Sequence, residues 1–298
     1  MKRGRQEATP LVSVIMPVYN AGEFLKQAID SIIQQSYQNF ELIIVNDAST
    51  DNSWQTIQAY KKRYPKIIKS INILRNLNRG GDRCANEGLK LARGTYVARM
   101  DADDVAHPER LAKQVVFLEE NKNIFLVGTE AYVIDKEGTI LGEKHEPETN
   151  KDIYDSYFTF HPIIHPSAMF RRKVDGKPFA YDIKYSANND YYTFFKLLCQ
   201  KKYQYANLQE KLLYYRIHGA NDTFNHIRRK FINTFKIRME MVLKYGYSPS
   251  IKQVATTIAQ LAITVILPEK AIKTLYLLTK GIVKPESTLK RFSLKASA

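Results

Sequence analysis

The first 130 residues alternate between strand patterns and helix patterns, and this alternation restricts the possible folds more than any other feature of the chain. Apolar runs typical of buried strands occupy 12–16, 40–45, 67–74, 96–100 and 124–127. The segments between them, 24–33, 51–64, 86–92 and 110–120, have helical spacing or a helix-favouring composition. Strands separated by helices pair in parallel through right-handed crossovers. The sequence therefore predicts an α/β fold with a mostly parallel central sheet.

Composition excludes several other classes of protein. The chain has 298 residues, of which 44% are hydrophobic and 25% are charged, a balance that disordered chains and coiled coils do not have. Cys84 and Cys199 are the only cysteines, which excludes a disulfide framework and favours a reducing compartment. The polar start does not resemble a secretion signal, and the longest apolar candidate, 254–267, is shorter than the ~20 residues of a membrane-spanning helix. We therefore expect a cytoplasmic protein.

The positive charge is concentrated at the C-terminal end. The formal net charge is +15, and residues 226–298 contain 14 Lys and Arg against three acids, so the remaining residues are nearly balanced. We therefore divide the chain into a body, 1–225, and a basic helical C-terminal extension, 226–298, with helices expected at 227–245, 251–267 and 269–280. A basic amphipathic helix fits an anionic membrane surface, which would hold the protein on the inner face of the cell membrane. The alternative is that the extension packs on the body or on the second subunit of a homodimer.

Polar residues follow three of the predicted strands, at 17–20, 46–49 and 101–104. In α/β sheets, ligands bind beyond the carboxyl ends of the strands. The three segments are therefore predicted to converge on one binding site.

Three aspartates, Asp101, Asp103 and Asp104, lie within four residues directly after the fourth predicted strand. Their mutual repulsion is costly when they have no partner. Carboxylate ligands suit Mg²⁺ or Mn²⁺, which commonly bridge one or two carboxylates and a substrate diphosphate. The alternative is a solvated acidic turn that leads into the next helix, and this segment alone does not decide between the two.

Other polar residues near these segments allow two interpretations each. Asp47 could accept a hydrogen bond from a base or a ribose, or it could cap the following helix. Gly80 and Gly81 could surround a phosphate with backbone N–H groups, or they could form a plain turn. Arg216 and His218 could contact a diphosphate or a metal ion.

The middle region, 135–225, is less regular and rich in aromatic residues, and we expect loops, short strands and one helix at 190–199. Asp190 lies at the start of that helix and is a candidate for either a helix cap or a general base. His161 and His165 flank prolines and are interpreted as residues that order a loop.

Together these segments resemble glycosyltransferase family 2. The segment VSVIMPVYNAGEFLKQAIDSIIQQSYQNFELIIVNDASTD is similar to the opening of that family, and ARGTYVARMDADDVAHPERLAKQ is similar to its aspartate-rich metal motif. HPIIHPSAMFRR and LLYYRIHG resemble later blocks of bacterial members. The resemblance spans about 11–221 and implies the GT-A fold, with a nucleotide-binding half at about 11–130 and an acceptor half at about 131–225.

The resemblance also implies roles for individual residues. The residues expected to bind the donor are Pro17, Tyr19, Asn20, Asp47, Asp101 and Arg216. The residues expected to hold Mn²⁺ or Mg²⁺ are Asp101, Asp103 and His218, and Asp190 is the expected general base.

Two positions depart from the family pattern. Asn189 stands where the family has the Glu of a Glu-Asp pair, so a neutral amide precedes the expected base Asp190. Ala85 stands where bacterial relatives often have Arg, and Arg83 is the candidate that would replace it at the donor.

The resulting expectation is a metal-dependent, inverting glycosyltransferase of bacterial surface polysaccharide biosynthesis. It would move a sugar from a nucleotide-diphospho-sugar, with a UDP-sugar favoured, to a hydroxyl of a glycan or lipid-linked acceptor. A sugar-nucleotide pyrophosphorylase is the alternative enzyme, but it would normally have a Gly-rich loop where this chain has Pro-Val-Tyr-Asn at 17–20. A nucleic-acid-binding protein is suggested by the charge alone, and the nearly neutral body disfavours it, so no nucleic-acid partner is expected.

Overall fold

The computed structural model describes residues 9–75, 81–218, 227–269, 271–272 and 274–275. Its strands are β1 (Val12–Val18), β2 (Phe40–Asp47), β3 (Ile68–Ile73), β4 (Tyr96–Arg99), β5 (Val105–Ala106), β6 (Ile124–Ile134), β7 (Ile140–Lys144), β8 (Met169–Arg171), β9 (Lys173–Val174), β10 (Lys177–Pro178) and β11 (Gln204–Arg216). Its helices are α1 (Phe24–Ile33), α2 (Ser53–Arg63), α3 (Asp82–Leu89), α4 (Arg110–Glu120), α5 (Asn150–Ser156), α6 (Asn189–Cys199), α7 (Ile227–Tyr245) and α8 (Ile251–Ile266).

Nine of the strands form one sheet in the order β3-β2-β1-β4-β8-β6-β11-β5, with β7 paired to β6. The first four strands in this order pair in parallel. β8 is antiparallel to both of its neighbours, β4 and β6, whereas β6 and β11 are parallel. The predicted α/β fold is therefore confirmed, with parallel pairing throughout β3-β2-β1-β4 and mixed pairing in the rest of the sheet.

Helices cover both faces of the sheet because the strand side chains alternate between two apolar clusters. Val14 and Met16 of β1 pack with residues of α1, α2 and α4 on one face. Ile15 packs with residues of α3, α5 and α6 on the other face. Burial on both faces accounts for the near-continuous apolar runs of β1 and β2.

Two strands are longer than the sequence predicts. β6 continues to Ile134 instead of ending near residue 127, and β11 has 13 residues in a region where only short strands are expected. The register between β6 and β11 shifts between Leu208 and Lys211 and again before Leu213. Such irregularities interrupt the two-residue alternation by which a strand is recognised in sequence. The sequence pattern therefore underestimates the length of β11.

The first helix of the extension packs against the body. α7 has the predicted bounds, and its Ile237 and Met241 are buried in the same cluster as residues of α3 and α6. Arg238 of α7 is buried and donates to the carbonyl oxygen of Thr159 and to Oε1 of Gln260 on α8. The end of the predicted helix 269–280 lies outside the described residues. None of the helices in the described part of the chain has the length and apolar character of a membrane span.

Gly94, between α3 and β4, allows a close backbone approach that gives a test of this packing. A Cβ at this position would lie 2.6 Å from the carbonyl oxygen of Leu11 and 2.7 Å from the backbone N of Ser13. We expect Gly94→Ala to lower the free energy of unfolding by about 1–3 kcal/mol, because backbone must move to accept the methyl group. Urea unfolding of the variant measures this, with the exposed neighbour Thr95→Ala as the control. Equal stability of the two variants would contradict the packing described.

Candidate active site

A cleft of about 1400 Å³ opens at the carboxyl ends of β1, β2 and β4. One wall is formed by the segments that follow these strands, which contain Tyr19, Asp47 and Asp101. Another part of the lining comes from the 159–166 segment, the start of α6 and one side of α7. The three polar strand ends predicted to converge therefore do share one cleft, and the extension contributes to its wall.

The segments after β1 and β2 are joined to each other by hydrogen bonds. Asn20 has a left-handed backbone, donates its N–H to Oγ of Ser49 at 3.0 Å, and accepts the N–H of Thr50 on its side-chain oxygen at 2.7 Å. The N–H of Gly22 is donated to Oδ2 of Asp51 at 2.9 Å. These bonds hold both loops in one conformation, with Pro17 and the half-exposed ring of Tyr19 on the cleft wall.

Asp47 is the last residue of β2 and is buried where it borders the cleft. The left-handed backbone of Ala48 turns the chain immediately after it. The N–H of Ser53, the first residue of α2, is donated to Asp51 at 3.0 Å. The cap-like contact at the start of α2 is therefore made by Asp51, which disfavours the helix-cap interpretation of Asp47.

The aspartates after β4 form a tight group of oxygen ligands. One carboxylate oxygen from each of Asp101, Asp103 and Asp104 can be chosen so that all three lie within 4.8 Å of one another. Arg99 pairs with Asp101 at 2.7 Å, and Nε2 of His218 lies 2.9 Å from Oδ2 of Asp103. Burial, together with the charge of Asp103, raises the pKa of Asp104, whose Oδ2 accepts no hydrogen bond from the described part of the chain. This set of donors fits a hard divalent cation such as Mg²⁺ or Mn²⁺.

Arg216, at the end of β11, makes hydrogen bonds that position the aspartate group. Its backbone N–H is donated to Oδ1 of Asp104 at 2.8 Å, and its Nε to the carbonyl oxygen of Asp103 at 2.8 Å. Its guanidinium also donates to the carbonyl oxygen of Asp135 at 3.0 Å. The side chain is almost completely buried. Its predicted contact with a diphosphate stays a prediction, and the observed contacts position the aspartates.

Arg83 lies on the exposed side of α3 and does not belong to the described lining of the cleft. Its predicted role at the donor also stays a prediction.

Asp190, the second residue of α6, lies on the cleft wall beside two histidines. Its Oδ2 is 3.4 Å from Nε2 of His161 and 3.5 Å from Nδ1 of His165. Burial alone would raise the pKa of Asp190, but hydrogen bonds from His161 and from the backbone N–H of Tyr191 contribute to holding that pKa below its ordinary value. Asp190 is therefore ionised, as a general base must be before it takes a proton.

Sequence reasoning did not assign the two histidines to the site. His161 and His165 do lie in one loop, as expected, but both line the cleft in contact with Asp190. The repeated His-Pro pair, four residues apart in HPIIHP, is the signal in the sequence that could have indicated a joint role.

A second carboxylate that sequence reasoning passed over lies behind these histidines. Asp82, the first residue of α3, is buried with its Oδ1 4.0 Å from Nε2 of His165. Burial first, and then the negative charge of Asp190, raise the pKa of Asp82 well above its ordinary value. The pKa values of the two carboxyls are therefore driven apart, that of Asp82 being raised and that of Asp190 lowered.

Asn189, the departure from the family's Glu-Asp pair, orders the turn before α6. Its buried side-chain oxygen accepts the N–H of Tyr185 at 2.9 Å. The neutral amide therefore has a structural partner of its own, which fixes the start of the helix that carries Asp190.

Comparison with known proteins places the chain in a family. Residues 13–178 match the sequence model of the family described as glycosyl transferase family 2. An uncharacterized glycosyltransferase of Methanocaldococcus jannaschii is 36% identical over 229 residues, which cover 76% of this chain and 77% of that protein. An uncharacterized glycosyltransferase of Haemophilus influenzae is 33% identical over 259 residues, which cover 80% of this chain and 75% of that protein.

Solved structures share the fold. Residues 1–349 of S. aureus TarS, in complex with UDP, superpose with a TM-score of 0.57 at 17% identity and cover 85% of this chain and 80% of that one. The mannosyltransferase PcManGT from Pyrobaculum calidifontis, in complex with GDP-Man and Mn²⁺, gives a TM-score of 0.57 at 17% identity over 95% of this chain and 84% of that one. The chain therefore belongs to glycosyltransferase family 2 and is a glycosyltransferase with the GT-A fold.

Proposed function

We propose that this glycosyltransferase moves a sugar from a UDP-sugar to a hydroxyl of a glycan or lipid-linked acceptor, with inversion at the anomeric carbon, in the synthesis of a bacterial surface polysaccharide. The observation that carries the proposal is that Asp47, the pair Asp101 and Asp103, and Asp190 border a single cleft. Nucleotide recognition, diphosphate binding and proton removal can therefore take place on one substrate pair.

The donor is assigned to the wall formed after β1, β2 and β4. Pro17, Tyr19 and Asp47 border the part of the cleft proposed for the base and ribose. A uracil base is favoured by the family resemblance of Asp47, and the S. aureus TarS structures with UDP and UDP-GlcNAc offer a parallel. The structure of PcManGT with GDP-Man shows that the same fold also accepts a guanine nucleotide, so a donor screen includes both.

The diphosphate is assigned to the aspartate group. Asp101 and Asp103, with His218 beside them, would hold Mn²⁺ or Mg²⁺. When bound, this ion supplies positive charge that offsets the charge of the nucleoside diphosphate as it leaves. Arg216 fixes the position of the loop that contains these aspartates, since it donates hydrogen bonds to both Asp103 and Asp104.

Proton removal is assigned to Asp190. The acceptor hydroxyl must lose its proton as its oxygen attacks the anomeric carbon, and an ionised carboxylate can accept that proton. A single displacement inverts the anomeric carbon and needs no covalent intermediate on the enzyme. The acceptor is assigned to the side of the cleft formed by the 159–166 segment and α7, because Asp190 lies there.

The extension is proposed to hold the enzyme on an anionic membrane surface. α8 exposes apolar side chains along one side, and the most exposed of them are Ile251, Ile258, Val265 and Ile266. Lys252 is the only charged residue of this helix. Exposed Arg228, Arg229, Lys236 and Lys244 of α7 add positive charge nearby. An apolar helix surface next to basic residues is the combination that binds anionic lipid headgroups.

Donor and metal use are tested by nucleotide release. We expect the wild-type chain to release UDP from one member of a panel of UDP- and GDP-sugars with Mn²⁺, and to lose at least about 100-fold of this activity with EDTA or in Asp103→Ala. Asp155→Asn, a change at an exposed carboxylate of α5, is the control that retains activity. Undiminished metal-dependent turnover in Asp103→Ala would refute the metal assignment.

The base assignment is tested with Asp190→Asn, which keeps the shape of the side chain and removes its basicity. We expect kcat for transfer to fall by about 10²–10⁴-fold, because the amide cannot take the acceptor's proton. UDP binding, measured by calorimetry with Mn²⁺, should be unchanged. Loss of UDP binding together with activity would show that Asp190 acts on the donor side instead.

The membrane assignment is tested by flotation of the full chain with vesicles. We expect binding to anionic vesicles at low salt and clear loss of binding in Ile258→Asp/Val265→Asp, because two negative charges on the exposed apolar side of α8 prevent its insertion. Leu141→Asp, at an exposed apolar residue of β7, is the matched control. If the double variant still floats but changes a dimer into a monomer, the surface binds a second subunit and the membrane assignment is wrong.

A further inference from the structure

The surroundings of Asp190 contain a chain of contacts that the reaction itself does not require. Nδ1 of His165 lies 3.5 Å from Oδ2 of Asp190, and Nε2 of the same ring lies 2.8 Å from the hydroxyl of Tyr181. Tyr181 is in turn held at both backbone polar groups by Asn86 of α3, which donates to its carbonyl oxygen at 2.9 Å and accepts its N–H at 2.8 Å. The contacts run from α3 through Tyr181 and His165 to the proposed base.

The packing around His165 leaves its ring little freedom. The rings of Tyr181 and His165 meet edge to face, with centroids 5.4 Å apart and an interplanar angle of 86°. Phe194 of α6 packs against the same imidazole at 5.9 Å. The orientation of the ring is therefore fixed, and only the position of its proton remains open.

Charge decides which ring nitrogen holds that proton. Burial lowers the pKa of His165 to about 3, so the imidazole is neutral and has a single N–H. Nδ1 faces the carboxylate of Asp190 at 3.5 Å, whereas Nε2 faces the Tyr181 hydroxyl at 2.8 Å and lies 4.0 Å from the carboxyl of Asp82, whose raised pKa favours its neutral form. A proton on Nε2 would place the lone pair of Nδ1 against a negative oxygen. Burial keeps the Tyr181 hydroxyl protonated, so it can donate to an unprotonated Nε2.

We propose that Tyr181 and His165 form a positioning pair for the base: the Tyr181 hydroxyl donates to Nε2, which fixes His165 as the Nδ1–H tautomer, and Nδ1–H is directed at Oδ2 of Asp190. This inference rests on the proposed role of Asp190. With Oδ2 facing the imidazoles, Oδ1 is the atom that receives the acceptor's proton as the new glycosidic bond forms. In the described part of the chain, the other charged and titratable groups that act on His165 are Asp82, Arg99 and His161.

The tautomer is measured directly by NMR, without a substrate. Long-range ¹H–¹⁵N correlation of the full chain labelled with ¹⁵N-histidine resolves the two ring nitrogens, and His165→Asn identifies the signal among the six histidines. We expect a protonated Nδ1 in the wild-type protein and a gain of the Nε2–H form in Tyr181→Phe. Tyr203→Phe, which removes a hydroxyl bonded to the surface residue Asp175, should leave the signal unchanged. A wild-type Nε2–H tautomer overturns the proposal, whatever the effect of Asp190→Asn on transfer.

Two amide substitutions test whether the N–H matters for transfer. The amide nitrogen of Asn can take the place of Nδ1, whereas that of Gln reaches the place of Nε2. We expect His165→Asn to retain kcat within a few-fold, and His165→Gln and Tyr181→Phe to lose about tenfold or more, because both changes move the N–H away from the position that faces the charged Oδ2 of Asp190 at 3.5 Å. The KM for the donor should stay the same in all three. Equal kcat in the Asn and Gln variants would overturn the positioning role even if Asp190→Asn confirms the base.

Discussion

The buried guanidinium of Arg216 joins the loop after β4 to the second half of the sheet. It lies at the end of β11, the strand that extends the sheet beyond the parallel half, and it binds the loop that follows β4. A buried cation is costly unless its donors are satisfied, and here they bond to backbone carbonyl oxygens of Asp103 and Asp135. The position of the aspartate group therefore depends on β11 as much as on β4.

The change of strand direction at β8 gives the site its second wall. β8 is inserted antiparallel between β4 and β6, so the chain that leads into it passes the carboxyl ends of the parallel strands. This places the 161–166 segment on the same cleft as Asp101 and Asp103, with His165 against Asp190. An all-parallel sheet would have put a crossover helix in this place.

Opposite electrostatic environments separate the two carboxylate sites. The aspartates after β4 are close to one another and to His218, an arrangement suited to a cation. Asp190 instead faces two imidazoles, and the neighbouring Asp82 has a raised pKa, an arrangement that favours one ionised carboxylate without a metal. The two helices of the extension also differ from each other. α7 contributes to the core and to the cleft, whereas α8 exposes an apolar surface.

The sequence by itself determined the α/β class, the bounds of most helices and the convergence of the strand ends, because these follow from local periodicity and from the way parallel strands align. It also identified the family through segments such as ARGTYVARMDADDVAHPERLAKQ. The length of β11 escaped it, since register irregularities break the alternation of strand residues. Only the tertiary structure brought His161, His165 and Asp82 to Asp190 and turned Arg216 towards the aspartate loop, because these contacts join residues that are distant in sequence and depend on how the two halves of the sheet meet.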